Sequence, residues 1–306
     1  MKRMEVRRDN VVLSCLDGGL GDDGIILLHG LAGSGQEMVP TAEALLPDHH
    51  VIAIDQRGHS HSTRRPEDLS RRAYVEDVVA VVEELANGAP VTVVGQSMGG
   101  HTAMLFAAWH PHLVHRLVLL EAGVGGGGAQ DDYPARLGDW FASWPVPFAD
   151  LPSAAEFLGS TPIARSWLRD LDRRADGLWP RFEPDVMRAA IAAVADRARW
   201  DEWQQVKAPT LLVQGQNGTI PAAEVQQMLS LRPDVMHIVI PDAGHDAHLE
   251  QRDAWVRALR TFLGSPSPRH LHSAAADDRR VVGGDTVADL GLPDPADDLA
   301  GPVGPE

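Results

Sequence analysis

The chain has a single cysteine, Cys15, among its 306 residues, so no internal disulfide can form, and a reducing cytoplasm is the expected compartment. Lysine is almost as scarce. Apart from Lys2 and Lys207 the basic charge is arginine. Basic residues number 27 against 43 acidic ones, and the formal net charge of −16 argues against nucleic acid or an anionic membrane surface as a partner. No stretch approaches the roughly 20 apolar residues of a membrane span. Residues 1–10 are charged rather than apolar, so no secretory signal is expected. The sequence also lacks a Cys/His cluster with metal-ligand spacing and a phosphate-binding glycine loop, so neither a metal nor an organic cofactor is expected.

What is present is a globular composition, 44% hydrophobic and 23% charged, which allows a sizeable core. Short β-branched runs alternate with helical patterns, the sign of a parallel sheet with crossover helices. Residues 4–7 and 11–15 form a candidate antiparallel hairpin at the sheet edge. Strands are expected at 25–29, 51–55, 90–94, 116–120, 210–214 and 235–240, and helices at 71–87, 98–110 and 253–263. In the first helix Val75, Val78, Val79, Val82 and Leu85 recur at three- and four-residue spacing.

Between residues 124 and 205 the alternation stops. A glycine run at 125–128 leads into helical sequence with six of the eight tryptophans: Trp140, Trp144, Trp167, Trp179, Trp200 and Trp203. We expect a helical cap here, inserted between core halves 1–123 and 206–263. Trp140, Trp144 and Trp179 are candidate substrate contacts, although tryptophans in a small cap also serve as its core. Residues 264–306 turn to proline, glycine, alanine and aspartate without periodicity. Too few large apolar groups remain there to offset ordering entropy, so a disordered acidic tail is expected.

Gly95-Gln96-Ser97-Met98-Gly99 stands between an expected strand and an expected helix. A turn that tight needs small flanking residues. It pushes the Ser97 hydroxyl over the sheet edge, at the positive end of a helix, where it can act as a nucleophile. His29-Gly30-Leu31-Ala32-Gly33 closes an earlier strand. The backbone N–H of Leu31, with that of Met98, is the expected oxyanion hole. His29 is read as a buried brace rather than a base. His245, after the strand at 235–240, and His248, three residues on, are candidate bases.

With Asp55-Gln56-Arg57-Gly58-His59-Ser60 added, these motifs resemble the α/β-hydrolase superfamily in order and spacing over residues 4–263. The resemblance implies a mostly parallel eight-stranded sheet with helices on both faces and an inserted cap. It also makes Asp55 and Arg57 loop braces and His59 non-catalytic, and it places the expected base at His245, with His248 the alternative. In most such proteins a triad aspartate follows the strand represented here by 210–214. Here that place holds Gly218, and no carboxylate lies between Lys207 and Glu224. Glu121, one strand earlier, matches the acid position of zearalenone-type lactonases and of glutamate-type haloalkane dehalogenases; Asn217 is the fallback orienter. Serine at 97 excludes the alkyl-aspartate chemistry of the dehalogenases. The expected activity is hydrolysis of a carboxylic ester or lactone, a small-molecule substrate, by a monomer or homodimer. Carbon–carbon bond hydrolysis and cofactor-free haloperoxidase or perhydrolase chemistry remain open on the same triad. So does a ligand-binding role with an idle triad.

Overall fold

The structure, a computed structural model, describes residues 1–264 except 22, 47 and 128–131. The expected tail thus lies outside the described residues. The edge hairpin forms as expected: β1 (Lys2–Arg8) pairs antiparallel with β2 (Val11–Gly18), which pairs antiparallel with β4 (His50–Asp55). All further pairings in the sheet are parallel: β4 with β3 (Gly24–Leu28), then β5 (Val91–Gln96), β6 (Val114–Leu120), β9 (Thr210–Gly215) and β10 (Met236–Ile240). The sheet is eight-stranded, in the order β1-β2-β4-β3-β5-β6-β9-β10.

Strand alternation assigns neighbouring residues to opposite layers. Leu117 and Leu119 of β6 pack with α2 (Arg71–Leu85) and α3 (Met98–Trp109), whereas Val118 and Leu120 pack with α1 (Val39–Leu45) and the terminal helix (Arg252–Gly264). Helix α2 starts where the Ser70 hydroxyl accepts the Ala73 N–H at 3.2 Å, and it buries Val75, Val78 and Val82 of the expected stripe. Val79 and Leu85 pack only partly, and Val81 takes the deeper place.

Between β6 and β9 the chain forms α4 (Tyr133–Ala142), α5 (Leu151–Leu158), α6 (Pro162–Asp170), a ribbon of β7 (Asp172–Arg174) and β8 (Gly177–Trp179), α7 (Pro184–Ala195) and α8 (Trp200–Gln205). Its aromatic centre is Phe141, Trp144, Phe148 and Phe182. Trp203 packs instead in the sheet core, with its indole N–H donating to the Met228 carbonyl at 2.9 Å. Beyond β9 come α9 (Ala222–Leu231), α10 (Ala247–Glu250) and α11 (Arg252–Gly264). Helix α1, helix α9 and the two ribbon strands were not legible in the sequence. Helix α1 is short and opens on Pro40, α9 follows Pro221 with weak periodicity, and the ribbon strands are three residues each.

Candidate active site

Ser97 stands between β5 and α3 with φ 51° and ψ −118°, a conformation that residues with side chains rarely adopt. The turn is held by the Ser97 N–H donating to the Leu120 carbonyl at 2.9 Å. Crowding around it explains the glycines. A Cβ at Gly95 would run into the Gly99 backbone, and one at Gly99 into the carbonyls of Leu28 and His29.

Glu121 leaves β6 at φ 47° with its side chain buried. Its Oε1 accepts the Gly215 N–H at 2.8 Å and its Oε2 the Thr219 N–H at 2.9 Å. The His245 Nδ1 lies 3.3 Å from Glu121 Oε2 and 2.9 Å from the Thr219 hydroxyl oxygen. Because a carboxylate only accepts, Nδ1 carries the hydrogen, and Nε2 is left as the free acceptor. Burial works to raise the Glu121 carboxyl. Hydrogen bonds from His245 and from the Thr219 and Gly215 N–H groups overcome it, so Glu121 sits below the ordinary glutamate range. For His245 burial pulls downward, but the Glu121 hydrogen bond and the charges of Asp246, Glu121 and Glu250 lift it above the ordinary histidine value. The Gln96 side-chain amide donates to the His245 carbonyl at 3.1 Å, tying the histidine loop to the residue before Ser97.

Gly218 owes its identity to the same group: a Cβ there would fall inside the Glu121 carboxylate. Asn217, the fallback orienter, makes its recorded bond through its backbone, donating to the Ala243 carbonyl at 2.8 Å. His248 is turned away and bonds Glu37 Oε1 at 3.0 Å, with both side chains buried. His29 is the expected brace: its Nδ1 donates to the Gly30 carbonyl at 2.7 Å while Nε2 accepts the Gln56 N–H at 3.0 Å. His59 is buried, donates to the Arg57 carbonyl at 2.9 Å, and is pushed down to about 3 by burial. Asp55 and Arg57 hold loops: Asp55 accepts the Gly35 N–H at 2.6 Å, and Arg57 makes a two-pronged bond to Asp77 at 2.6 Å.

Two cavities meet at Ser97, Tyr133, Ile191 and His245. The larger, about 410 Å³, also takes in Met98, His101, Glu121, Thr219 and Glu224. The smaller, about 180 Å³, is bounded by Leu31, Leu137, Trp140, Phe141, Ile163 and Trp167. Leu31 and Met98, whose N–H groups were expected to hold an oxyanion, thus flank Ser97 in the two linings.

Two of the three tryptophan expectations need correction. Trp140 faces the smaller cavity. Trp144 is 3% exposed and stacks edge-on with Trp140, Trp167 and Phe182, so it is core. Trp179 belongs to the outer ribbon, bonded to Asp176 and covered by Arg174, and lines neither cavity. Thr219, His101, Glu224 and Trp167 were not foreseen. Thr219 alone had a sequence signal, its place beside the vacant acid position. Among the described residues no group of three or more His, Cys, Asp or Glu is placed to hold a metal ion. No described helix is long and apolar enough to cross a membrane.

A sequence model of the alpha/beta hydrolase fold matches residues 24–251. The chain belongs to the α/β-hydrolase family. It is 28% identical over 261 residues to esterase YbfF of Escherichia coli, spanning 78% of this chain and 92% of that protein. It is 27% identical over 257 residues to an sn-1-specific diacylglycerol lipase of Mus musculus, spanning 81% and 83%. The crystal structure of E-2-(acetamidomethylene)succinate hydrolase superposes with a TM-score of 0.78 at 20% identity, over 86% of this chain and 99% of that one. With this fold and these relatives, the chain is a hydrolase-fold enzyme.

Proposed function

We propose that this α/β-hydrolase cleaves a carboxylic ester or lactone by two-step acyl transfer. The observation that supports it is the shared opening: Ser97, at the strained tip of its turn, lines the same cavities as a histidine whose Nδ1 is occupied by a buried carboxylate. In this reading Ser97 attacks the carbonyl carbon and His245 Nε2 takes its proton. Glu121 holds the imidazole in that tautomer and stabilises the imidazolium. The carbonyl oxygen, now negative, is received by the N–H groups of Leu31 and Met98. His245 returns the proton to the leaving group. Water, deprotonated by the same imidazole, then releases the acid from the acyl-enzyme. The relatives named as esterase and lipase support ester chemistry. The segment at 124–205 acts as a cap whose Trp140 and Trp167 wall the smaller cavity.

Labelling with a fluorophosphonate, followed by p-nitrophenyl esters and macrolactones, tests this. Wild type should be labelled once, at Ser97, and turn over at least one ester. Ser97→Ala should lose labelling and fall by several orders of magnitude in kcat, since triad members act as a unit. Residual activity within about tenfold of wild type would refute the nucleophile. A stoichiometric burst without turnover would favour the binding-protein alternative.

A further inference from the structure

The cavities around Ser97 are unbalanced in charge. Four carboxyl side chains line them, Glu37, Glu121, Glu224 and Asp246, and among the described residues no lysine or arginine does. Glu121 is engaged by His245, Thr219 and Gly215, as above. Glu224 stands in the larger chamber, where its Oε1 accepts the Val124 N–H at 2.8 Å and burial lifts its carboxyl above the usual range.

A second observation points to a ligand in that chamber. His101, one helical turn beyond Ser97, is 2% exposed and lines it; the Val124 carbonyl bears on its ring, but neither ring nitrogen makes a hydrogen bond of full geometry. Burial holds its ring neutral, so it offers one N–H and one lone pair. A buried polar group left in this state is costly unless something satisfies it. The two cations that act on His101, Arg71 and Arg199, lie outside the lining. Arg199 is held by Glu202 at 3.0 Å, and Arg71 is sealed under α3, donating to the Met98 carbonyl at 3.3 Å and to the Thr102 hydroxyl.

We propose that the larger chamber receives a substrate group that donates a hydrogen bond, an ammonium or a hydroxyl, with Glu224 as its acceptor and His101 as a second contact, and that carboxylate-bearing esters are rejected. This rests on the hydrolase reading above. An incoming carboxylate would lose its hydration and meet Glu224 with no lysine or arginine among the described lining residues to offset it. A hydroxyl completes the free acceptor capacity of Glu224, and an ammonium also offsets its charge.

The experiment uses esters of equal chain length ended by methyl, hydroxymethyl, aminomethyl or carboxyl groups, varied on the acyl side in one series and the alcohol side in another. In at least one series kcat/KM should favour the amino-ended over the carboxyl-ended ester by about 10²-fold, with the hydroxyl-ended ester between them. Glu224→Gln, which keeps an acceptor for Val124, should shrink that ratio by about tenfold. Equal rates for amino- and carboxyl-ended esters in both series, or a ratio untouched by Glu224→Gln, would overturn the proposal. Calorimetry on Ser97→Ala with an alkylammonium and an alkylcarboxylate of the same length separates the two readings. If the amine binds more tightly there while wild type turns over no ester, the hydrolase reading falls and this one stands. If the carboxylate binds as well as the amine, this one falls whatever the turnover.

Discussion

At Glu121 the backbone turns through φ 47°, a left-handed conformation that costs a residue with a side chain about 1 kcal/mol or more, and this turn delivers the carboxylate to the histidine. Two backbone N–H groups then hold both oxygens. An amide at this position offers one oxygen to two donors and sets its NH2 against the other. Glu121→Gln should therefore lower kcat by about 10²- to 10⁴-fold. It should also move the pH profile. His245 must be neutral to accept a proton, so kcat/KM rises with pH through its titration. In wild type that inflection lies above the ordinary ~6.5, because Glu121, Asp246 and Glu250 favour the imidazolium. Removing the Glu121 charge should shift it to lower pH; a pH–rate profile that keeps its inflection would sink the assignment. Gly218 was legible only as a missing acid. The reason for the vacancy is volume, since the Glu121 carboxylate occupies the space of any side chain there. The two acid positions are thus mutually exclusive. Gly218→Ala alone should impair folding or activity, and adding Gly218→Asp to Glu121→Gln should restore nothing. Glu121→Gly with Gly218→Asp should recover at least about tenfold in kcat over Glu121→Gly alone, because glycine suits the left-handed position. No recovery would mean that position 218 cannot reach the imidazole.

At the scale of elements, α6 does more than roof a cavity. Its Trp167 donates its indole N–H to the Ala32 carbonyl at 3.0 Å, and Ala32, at φ 57°, follows the proposed oxyanion donor Leu31. The bond spans the inserted segment and a core loop, so it couples that segment to the peptide turn beside Ser97. Trp167→Phe keeps most of the ring and removes the donor. We expect kcat to fall about tenfold with KM little changed, less than the 10²- to 10³-fold of deleting an oxyanion donor outright. Affinity for a boronic acid, which mimics the tetrahedral intermediate, should fall in parallel with kcat. A rise in KM alone would mean that Trp167 only shapes the cavity. The sequence put six tryptophans in and near this segment without separating their roles. Trp140 at the cavity, Trp144 in the aromatic centre, Trp179 on the ribbon and Trp203 in the sheet core all read alike in a helical pattern. Which face each helix presents follows from packing against neighbours that periodicity does not identify.

Across the molecule, the inserted segment meets the loop after β4 through a seam of charges. Arg64 and Arg65 reach Glu183, Arg65 reaches Asp185, and the Ser60 hydroxyl donates to Asp170 Oδ1 at 3.1 Å. Burial, aided by the Asp55 charge, pushes the Asp170 carboxyl up to about 7. Its unfolded counterpart releases a proton near 3.8. Between those values the unfolded chain has shed a proton that the folded one keeps, so this group's contribution to stability falls as pH rises through the window. Asp170→Asn, which still accepts from Ser60, should raise Tm at neutral and alkaline pH, and the gain should vanish as pH approaches ~4. A gain that is the same at all pH values, read by calorimetry, would refute the carboxyl as its source. The sequence by itself determined the parallel sheet, its edge hairpin and the Ser97 turn, while the expectation that Glu121 would meet His245 came from the resemblance to lactonases and dehalogenases. The sheet, the hairpin and the turn follow from local rules: alternation along a strand, and small residues around a tight turn. Only the tertiary structure decided that Thr219 joins the histidine, that Glu121 excludes a side chain at 218, and that His101 and Glu224 share a chamber with Ser97. Those residues stand far apart along the chain and on different elements. Their meeting depends on how the strands β5, β6 and β9 lie side by side and on what the inserted segment covers.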